Sequence, residues 1–147
     1  MASEPRTIIN NIAELIEIPS VSSVSPEWDM PNRPVIDRLA ERLEGGQWRV
    51  ELIEVPNKPG KINLLATLGR GTGGLVLAGH TDTVPCDPEG WNSDPFTLVE
   101  RENRLYGLGT ADMKSFLALA MEACNDLDVS ALKCPVMLLA TADEEST

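Results

Sequence analysis

Two uninterrupted apolar runs, each ending in polar residues, constrain this chain more than any other feature. The first is Leu75-Val76-Leu77-Ala78, which passes through Gly79 into His80-Thr81-Asp82. The second is Pro135-Val136-Met137-Leu138-Leu139-Ala140, which passes into Thr141-Ala142-Asp143-Glu144-Glu145. Short apolar runs bounded by turn residues read as strands, and the first reads as a strand buried on both faces. In open α/β sheets the polar groups that do chemistry collect just beyond the carboxyl ends of such strands. His80 is the only histidine of the chain. Residues two apart on an extended backbone point the same way, so His80 and Asp82 are expected side by side. An Asp there can fix which imidazole nitrogen carries the proton and leave the other to a metal. A buried histidine with a satisfied hydrogen bond explains the same pattern, so His-x-Asp alone does not decide.

The rest of the chain supplies a frame for these strands. Apolar residues at 8, 9, 12, 15 and 16 predict a helix over 7–16, with Pro19 ending it. A loop carrying Pro26 and Pro31 leads to a second helix over 34–43, with Pro34 near its first turn and Gly45-Gly46 stopping it. Strands are expected over 49–55 and 61–68. The glycine-rich turn over 69–74 lacks the Gly-Lys-Ser/Thr ending of a phosphate loop and leads into a strand, which removes a nucleotide role. Segments 97–100 and 104–106 form a hairpin around Glu102-Asn103. A helix over 114–127 carries Phe116, Leu117, Ala120, Met121, Cys124 and Leu127 on one stripe, which core packing explains without a ligand. Strand, helix, strand in that order predicts an α/β fold: a mostly parallel sheet with helices on both faces, in three αβα layers. With 147 residues the chain suits one domain.

Composition narrows the partners. A net charge of -11 argues against nucleic acid and against an anionic membrane surface. No apolar run approaches the length of a membrane span, and the first residues lack the pattern of a secretory signal. Cys86, Cys124 and Cys134 are odd in number and unpaired in spacing, which fits a reducing cytoplasm and offers no zinc-knuckle pattern.

Three polar clusters remain: His80-Thr81-Asp82, Gly109-Thr110-Ala111-Asp112-Met113-Lys114 and Asp143-Glu144-Glu145. Asp112 alone reads as a helix cap. Glu144-Glu145 alone reads as a solvated strand end. Gly107-x-Gly109 lacks the third glycine of a dinucleotide fingerprint. Together they bring an imidazole and carboxylates to one sheet edge, a ligand set suited to zinc, cobalt or manganese. On an extended backbone Glu144 and Glu145 would point to opposite sides, so one could bind metal while the other serves as a general base.

Gly79-His80-Thr81-Asp82-Thr83-Val84-Pro85, then Trp91 and Asp94-Pro95-Phe96, then Leu105-Tyr106-Gly107-Leu108-Gly109-Thr110-Ala111-Asp112-Met113-Lys114, and finally Ala140-Thr141-Ala142-Asp143-Glu144-Glu145 together resemble the dinuclear-zinc amidohydrolases. That family holds aminoacylases, desuccinylases and related carboxypeptidases. The likeness covers nearly the whole chain, weakly before Asn63 and strongly after Gly74. It implies a zinc-peptidase-like catalytic domain of which residues 1–147 are the N-terminal part, the remaining catalytic segment and a dimerisation domain lying outside.

The resemblance also implies two divalent metal ions, zinc or cobalt. His80 would bind one, Asp112 would bridge both and Glu145 would bind the other. Glu144 would take a proton from the metal-bridging water and pass it to the leaving amine, while Asp82 would hold His80 from behind. A cis peptide is expected after Asp112. The implied reaction is hydrolysis of Nα-acetyl-L-ornithine, a small-molecule N-acyl amino acid, to L-ornithine and acetate in arginine synthesis, by a full-length homodimer. Ser115 stands where the family usually has Gly, and Ser146-Thr147 reverses its usual Thr-Ser. With Asp112 counted for both ions, each keeps two protein ligands, fewer than the three of a catalytic zinc. The chain alone is therefore expected to have little activity and to expose an apolar surface. The alternative is a non-catalytic paralogue that binds a metal or a partner.

Overall fold

One strand–helix–strand unit explains most of the architecture, because it alone uses a helix to bring two strands parallel. In the computed structural model, which describes residues 8–146, the elements in order are α1 (Ile8–Ile16), α2 (Arg33–Glu44), β1 (Arg49–Glu54), β2 (Ile62–Leu68), β3 (Leu75–His80), β4 (Val99–Arg101), β5 (Arg104–Tyr106), α3 (Lys114–Asn125) and β6 (Val136–Thr141). The main sheet has the order β1-β2-β6-β3. β3 and β6 run parallel and in step, from Leu75 opposite Val136 to His80 opposite Thr141. β1 pairs antiparallel with β2, and β2 antiparallel with β6.

The α/β class stands, but the sheet is mixed where the sequence suggested mostly parallel pairing. The reason is connection length. A parallel pair needs a crossover of a dozen or more residues, which only the stretch from β3 through α3 to β6 provides. The few residues between β1 and β2 permit only a hairpin, closed by the Val55 N–H donating to the Lys61 carbonyl at 3.0 Å. β4 and β5 form a separate hairpin whose turn residues, Glu102 and Asn103, both take positive φ (55° and 57°). That geometry matches the right-handed twist of the strands.

One face of the sheet carries the core. Ile62, Leu64 and Ala66 of β2 and Leu138 and Ala140 of β6 form a single buried cluster with Ile12 and Leu15 of α1, Val35, Ile36, Leu39 and Leu43 of α2, and Leu117, Ala118 and Met121 of α3. The period of two along each strand sends their neighbours to the other face. There the register lines up Leu65 with Leu139, and Met137 and Leu139 with Val76 and Ala78. The described residues thus build the sheet and one helical layer. β3 is an edge strand whose Leu75 and Val76 are 55% and 48% exposed, so the reading of it as buried on both faces is corrected. An apolar run records that a strand is made to be covered, not that the cover lies within the same residues.

Among the described residues no helix is long and apolar enough to cross a membrane. All three cysteines are free thiols. The expected start of the first helix at Thr7 lies outside the described residues.

Candidate metal centre

Because β3 and β6 are parallel neighbours in step, their carboxyl ends arrive together, with Thr81 N–H donating to the Thr141 carbonyl at 2.9 Å. His80 is the last residue of β3 and is 4% exposed. Its Nδ1 lies 3.0 Å from the backbone carbonyl of Asp82, and its Nε2 lies 2.9 Å from Oδ1 of Asp112. A ring N–H donated from Nδ1 to the carbonyl leaves Nε2 as the nitrogen able to bind a cation.

Asp82 and His80 do lie together, but through the Asp82 backbone. The Asp82 carboxylate is 3.6 Å from Nδ1, beyond hydrogen-bond reach. It is instead turned to the far cluster, where its Oδ2 accepts the Glu145 N–H at 2.9 Å. Its Oδ1 is buried with no hydrogen-bond partner.

Asp112 precedes α3, yet it does not cap that helix. The N-cap position is Met113, and no side-chain cap bond is made there. The Asp112 carboxylate faces His80 and is otherwise largely exposed. The peptide bond from Asp112 to Met113 is cis, as the resemblance implied.

Beyond β6 the chain does not stay extended. Asp143 takes φ 60°, and Glu144–Ser146 form a single 3-10 turn. The expectation that Glu144 and Glu145 point to opposite sides fails for that reason. His80, Glu144 and Glu145 each offer one ligand atom, and these atoms all lie within 4.8 Å of one another. Glu144 Oε2 is 3.8 Å from His80 Nε2. The structure therefore brings together all five residues singled out in the sequence: His80, Asp82, Asp112, Glu144 and Glu145.

The electrostatics of this cluster are those of a place short of positive charge. Burial pushes the His80 imidazole down, but the hydrogen bond to Asp112, the Asp82 carbonyl and the charges of both aspartates outweigh it, so its pKa is raised. Burial pushes the Glu145 carboxyl up, and so do the charges of Asp112, Glu144 and Asp82, with His80 opposing. Carboxylates that crowd one another on a single imidazole, with a buried carboxylate oxygen left unpartnered, suit a divalent cation. One imidazole nitrogen with carboxylate oxygens is a donor set compatible with zinc or cobalt.

Sequence reasoning missed three supporting groups. Asn32, 1% exposed, pairs with both the N–H and the C=O of Ile62 at 2.8 Å and donates to Thr81 Oγ1 at 2.7 Å. Lys114, fully buried, donates to the carbonyls of Leu15 (3.1 Å) and Ile18 (2.6 Å). Lys61, 3% exposed, lies among Asp29, Asp143 and Ser22. No local pattern announces any of them. A lysine at the first position of a helix, or an asparagine just before one, reads as a surface residue or a cap.

Residues 76–147 match Peptidase family M20/M25/M40. The acetylornithine deacetylase of Proteus mirabilis is 52% identical over 141 residues, spanning 96% of this chain and 36% of that protein. The acetylornithine deacetylase of Photorhabdus laumondii is 54% identical over 134 residues, spanning 91% of this chain and 35% of that protein. Among solved structures, human carnosine dipeptidase 1 matches with a TM-score of 0.73 at 25% identity, over 91% of this chain and 31% of that one. The chain thus spans roughly a third of the length of the relatives it matches. Over residues 76–147 its sequence matches the M20/M25/M40 peptidase family, over nearly its whole length it is similar to acetylornithine deacetylases, and its fold is similar to that of a solved dipeptidase.

Proposed function

We propose that this chain is the N-terminal part of the catalytic domain of a metal-dependent amidohydrolase that converts Nα-acetyl-L-ornithine to L-ornithine and acetate. The observation that carries the reading is the convergence of His80, Glu144 and Glu145 within 4.8 Å, with Asp112 2.9 Å from His80. The substrate follows the names of relatives that are 52% and 54% identical over nearly all of this chain.

His80, Asp112 and Glu145 would hold two divalent ions, zinc or cobalt, with Asp112 shared between them. Such ions supply Lewis acidity, polarising the acetyl carbonyl and making water nucleophilic near neutral pH. Glu144 is the general base: it takes the proton of the attacking water as the new C–O bond forms, then returns it to the amine nitrogen, which leaves as the amide C–N bond breaks. Asp82 orients the other groups, its carbonyl holding the His80 ring and its carboxylate holding the Glu145 backbone. Each ion would receive two protein ligands from this chain. The remaining ligands, and a dimerisation domain that would make the whole enzyme a homodimer, would lie outside these residues. The reading includes a cytoplasmic location, which suits the free thiols.

The test is hydrolysis of Nα-acetyl-L-ornithine with zinc or cobalt, by the chain alone and after mixing with the complementary C-terminal region of a relative. Little turnover alone, turnover on complementation, and loss of that turnover in Glu144→Ala are expected. A complemented mixture that binds cobalt but never hydrolyses the substrate refutes the catalytic reading and leaves a metal-binding domain.

A further inference from the structure

Glu144 and Glu145 sit on a turn that makes no use of the β6 ladder, so something else must hold it in place. Asp143, which begins the turn, takes φ 60°, a conformation that residues other than glycine adopt only infrequently. Its carboxylate is gripped from three sides. Lys61 Nζ lies 2.7 Å from Oδ1, Lys58 Nζ 2.6 Å from Oδ2, and Ser22 Oγ donates to Oδ1 at 3.0 Å. Lys61 is not a loose surface side chain. It is 2% exposed along its side chain, and its ammonium also lies 2.7 Å from Asp29 Oδ1. The main chain is tied on either side of Asp143, by Ala142 N–H to Asn63 Oδ1 at 3.0 Å and by Glu145 N–H to Asp82 Oδ2 at 2.9 Å. Asn63 lies in β2 and Lys61 immediately precedes that strand, which contributes nothing to the cluster around His80.

We infer that the buried Lys61–Asp143 ion pair is a positioning device, which sets the turn so that Glu144 and Glu145 face His80 and Asp112 together. The inference rests on the proposed reading of those four residues as the metal centre. The Asp143 carboxylate is taken up by Lys61, Lys58 and Ser22, so the pair is assigned neither a ligand nor a catalytic role. Catalytic groups must be held within roughly 0.5 Å of their productive geometry, and outer partners of metal ligands typically tune affinity by about 10–100-fold. A flexible turn cannot meet that tolerance. An ion pair shielded from water and anchored on a sheet strand can.

The experiment compares Asp143→Asn, Asp143→Gly and Lys61→Met in the full-length protein. Asp143→Asn keeps the shape but removes the charge, and Asp143→Gly relieves the backbone while releasing the turn. Folding is checked by circular dichroism. The first readout needs no metal or turnover: amide hydrogen exchange across residues 142–146, where the Glu145 amide is expected to exchange at least about tenfold faster in each folded variant. The second is cobalt titration followed by the visible spectrum, with affinity lowered about 10–100-fold and an altered band shape. The third is kinetics, with kcat falling about 100-fold while KM changes little.

If Lys61→Met does not fold, the two Asp143 variants decide. Unchanged exchange and unchanged cobalt binding in the folded Asp143 variants overturn the inference, even if their thermal stability drops. Should the wild type neither bind cobalt nor hydrolyse substrate, the reading of the site fails, and hydrogen exchange alone still decides whether the ion pair holds the turn.

Discussion

Asn32 stands where a helix cap belongs and does something else, which makes it a sharp test of how the sheet is anchored. It occupies the N-cap of α2, yet its side chain makes no cap hydrogen bond. Instead its amide imitates a strand, accepting the Ile62 N–H and donating to the Ile62 carbonyl, each at 2.8 Å. It also donates to Thr81 Oγ1 at 2.7 Å, and Thr81 in turn donates to the Thr141 carbonyl at 2.9 Å. Asn32→Ala leaves a buried N–H and a buried C=O of Ile62 unpaired, at about 1–3 kcal/mol each. Thr81 keeps its second partner and adds little. The expected loss is roughly 4 kcal/mol, a large share of the 5–15 kcal/mol typical of a domain.

The discriminating variant is Asn32→Asp. Asp is as good an N-cap as Asn. It cannot donate to Ile62 or Thr81, and it places a carboxylate oxygen against the Ile62 carbonyl. If strand mimicry is what Asn32 supplies, Asn32→Asp loses at least as much stability as Asn32→Ala in urea unfolding followed by circular dichroism. An Asn32→Asp protein within about 0.5 kcal/mol of the parent refutes the reasoning and returns the residue to an ordinary cap.

Burial pushes the Lys114 ammonium down to about 8 from 10.5, with Asp82 opposing. Between those values the unfolded chain binds more protons than the folded one, so stability rises with pH there, and below about pH 8 the cost is present in full. The stability gap between wild type and Lys114→Met should therefore widen by roughly 2 kcal/mol from about pH 7 to about pH 9.5, because the neutral amine keeps its bonds to Leu15 and Ile18. A gap that is flat or narrows in urea melts contradicts this. Glu144→Gln should lower kcat of the complete enzyme by about 100-fold or more while leaving cobalt affinity within a few-fold, whereas Glu145→Ala should weaken cobalt binding itself; parallel titrations and rate assays separate the two. Gly74 has φ 115°, and a Cβ there would clash with the Pro135 carbonyl oxygen, which accepts the first hydrogen bond joining β3 to β6. Gly74→Ala should cost more than about 2 kcal/mol in denaturant unfolding, and a neutral result would show that β3 starts elsewhere.

Much of this protein could be read along the chain. Apolar period predicted helices over 7–16 and 114–127, which the structure describes as Ile8–Ile16 and Lys114–Asn125, and the continuous runs located β3 and β6. The polar residues that follow those runs were visible as His80, Asp82, Glu144 and Glu145, because a run that ends in charge marks where a strand leaves the sheet, whereas Asp112 was visible only as a cap ahead of a helix. These signals are local: each depends only on residues a few positions apart. Tertiary structure alone decided that β6 inserts between β2 and β3, so that the sheet is mixed and two distant strand ends meet. It also decided that Asp112 faces His80 rather than capping α3, and that Asp143 turns the chain so that Glu144 and Glu145 share a side. Those outcomes depend on partners remote in sequence, Lys61 for Asp143 and Asn32 for Ile62. A side chain's own neighbours along the chain carry no record of which distant charge or carbonyl will meet it once water is excluded.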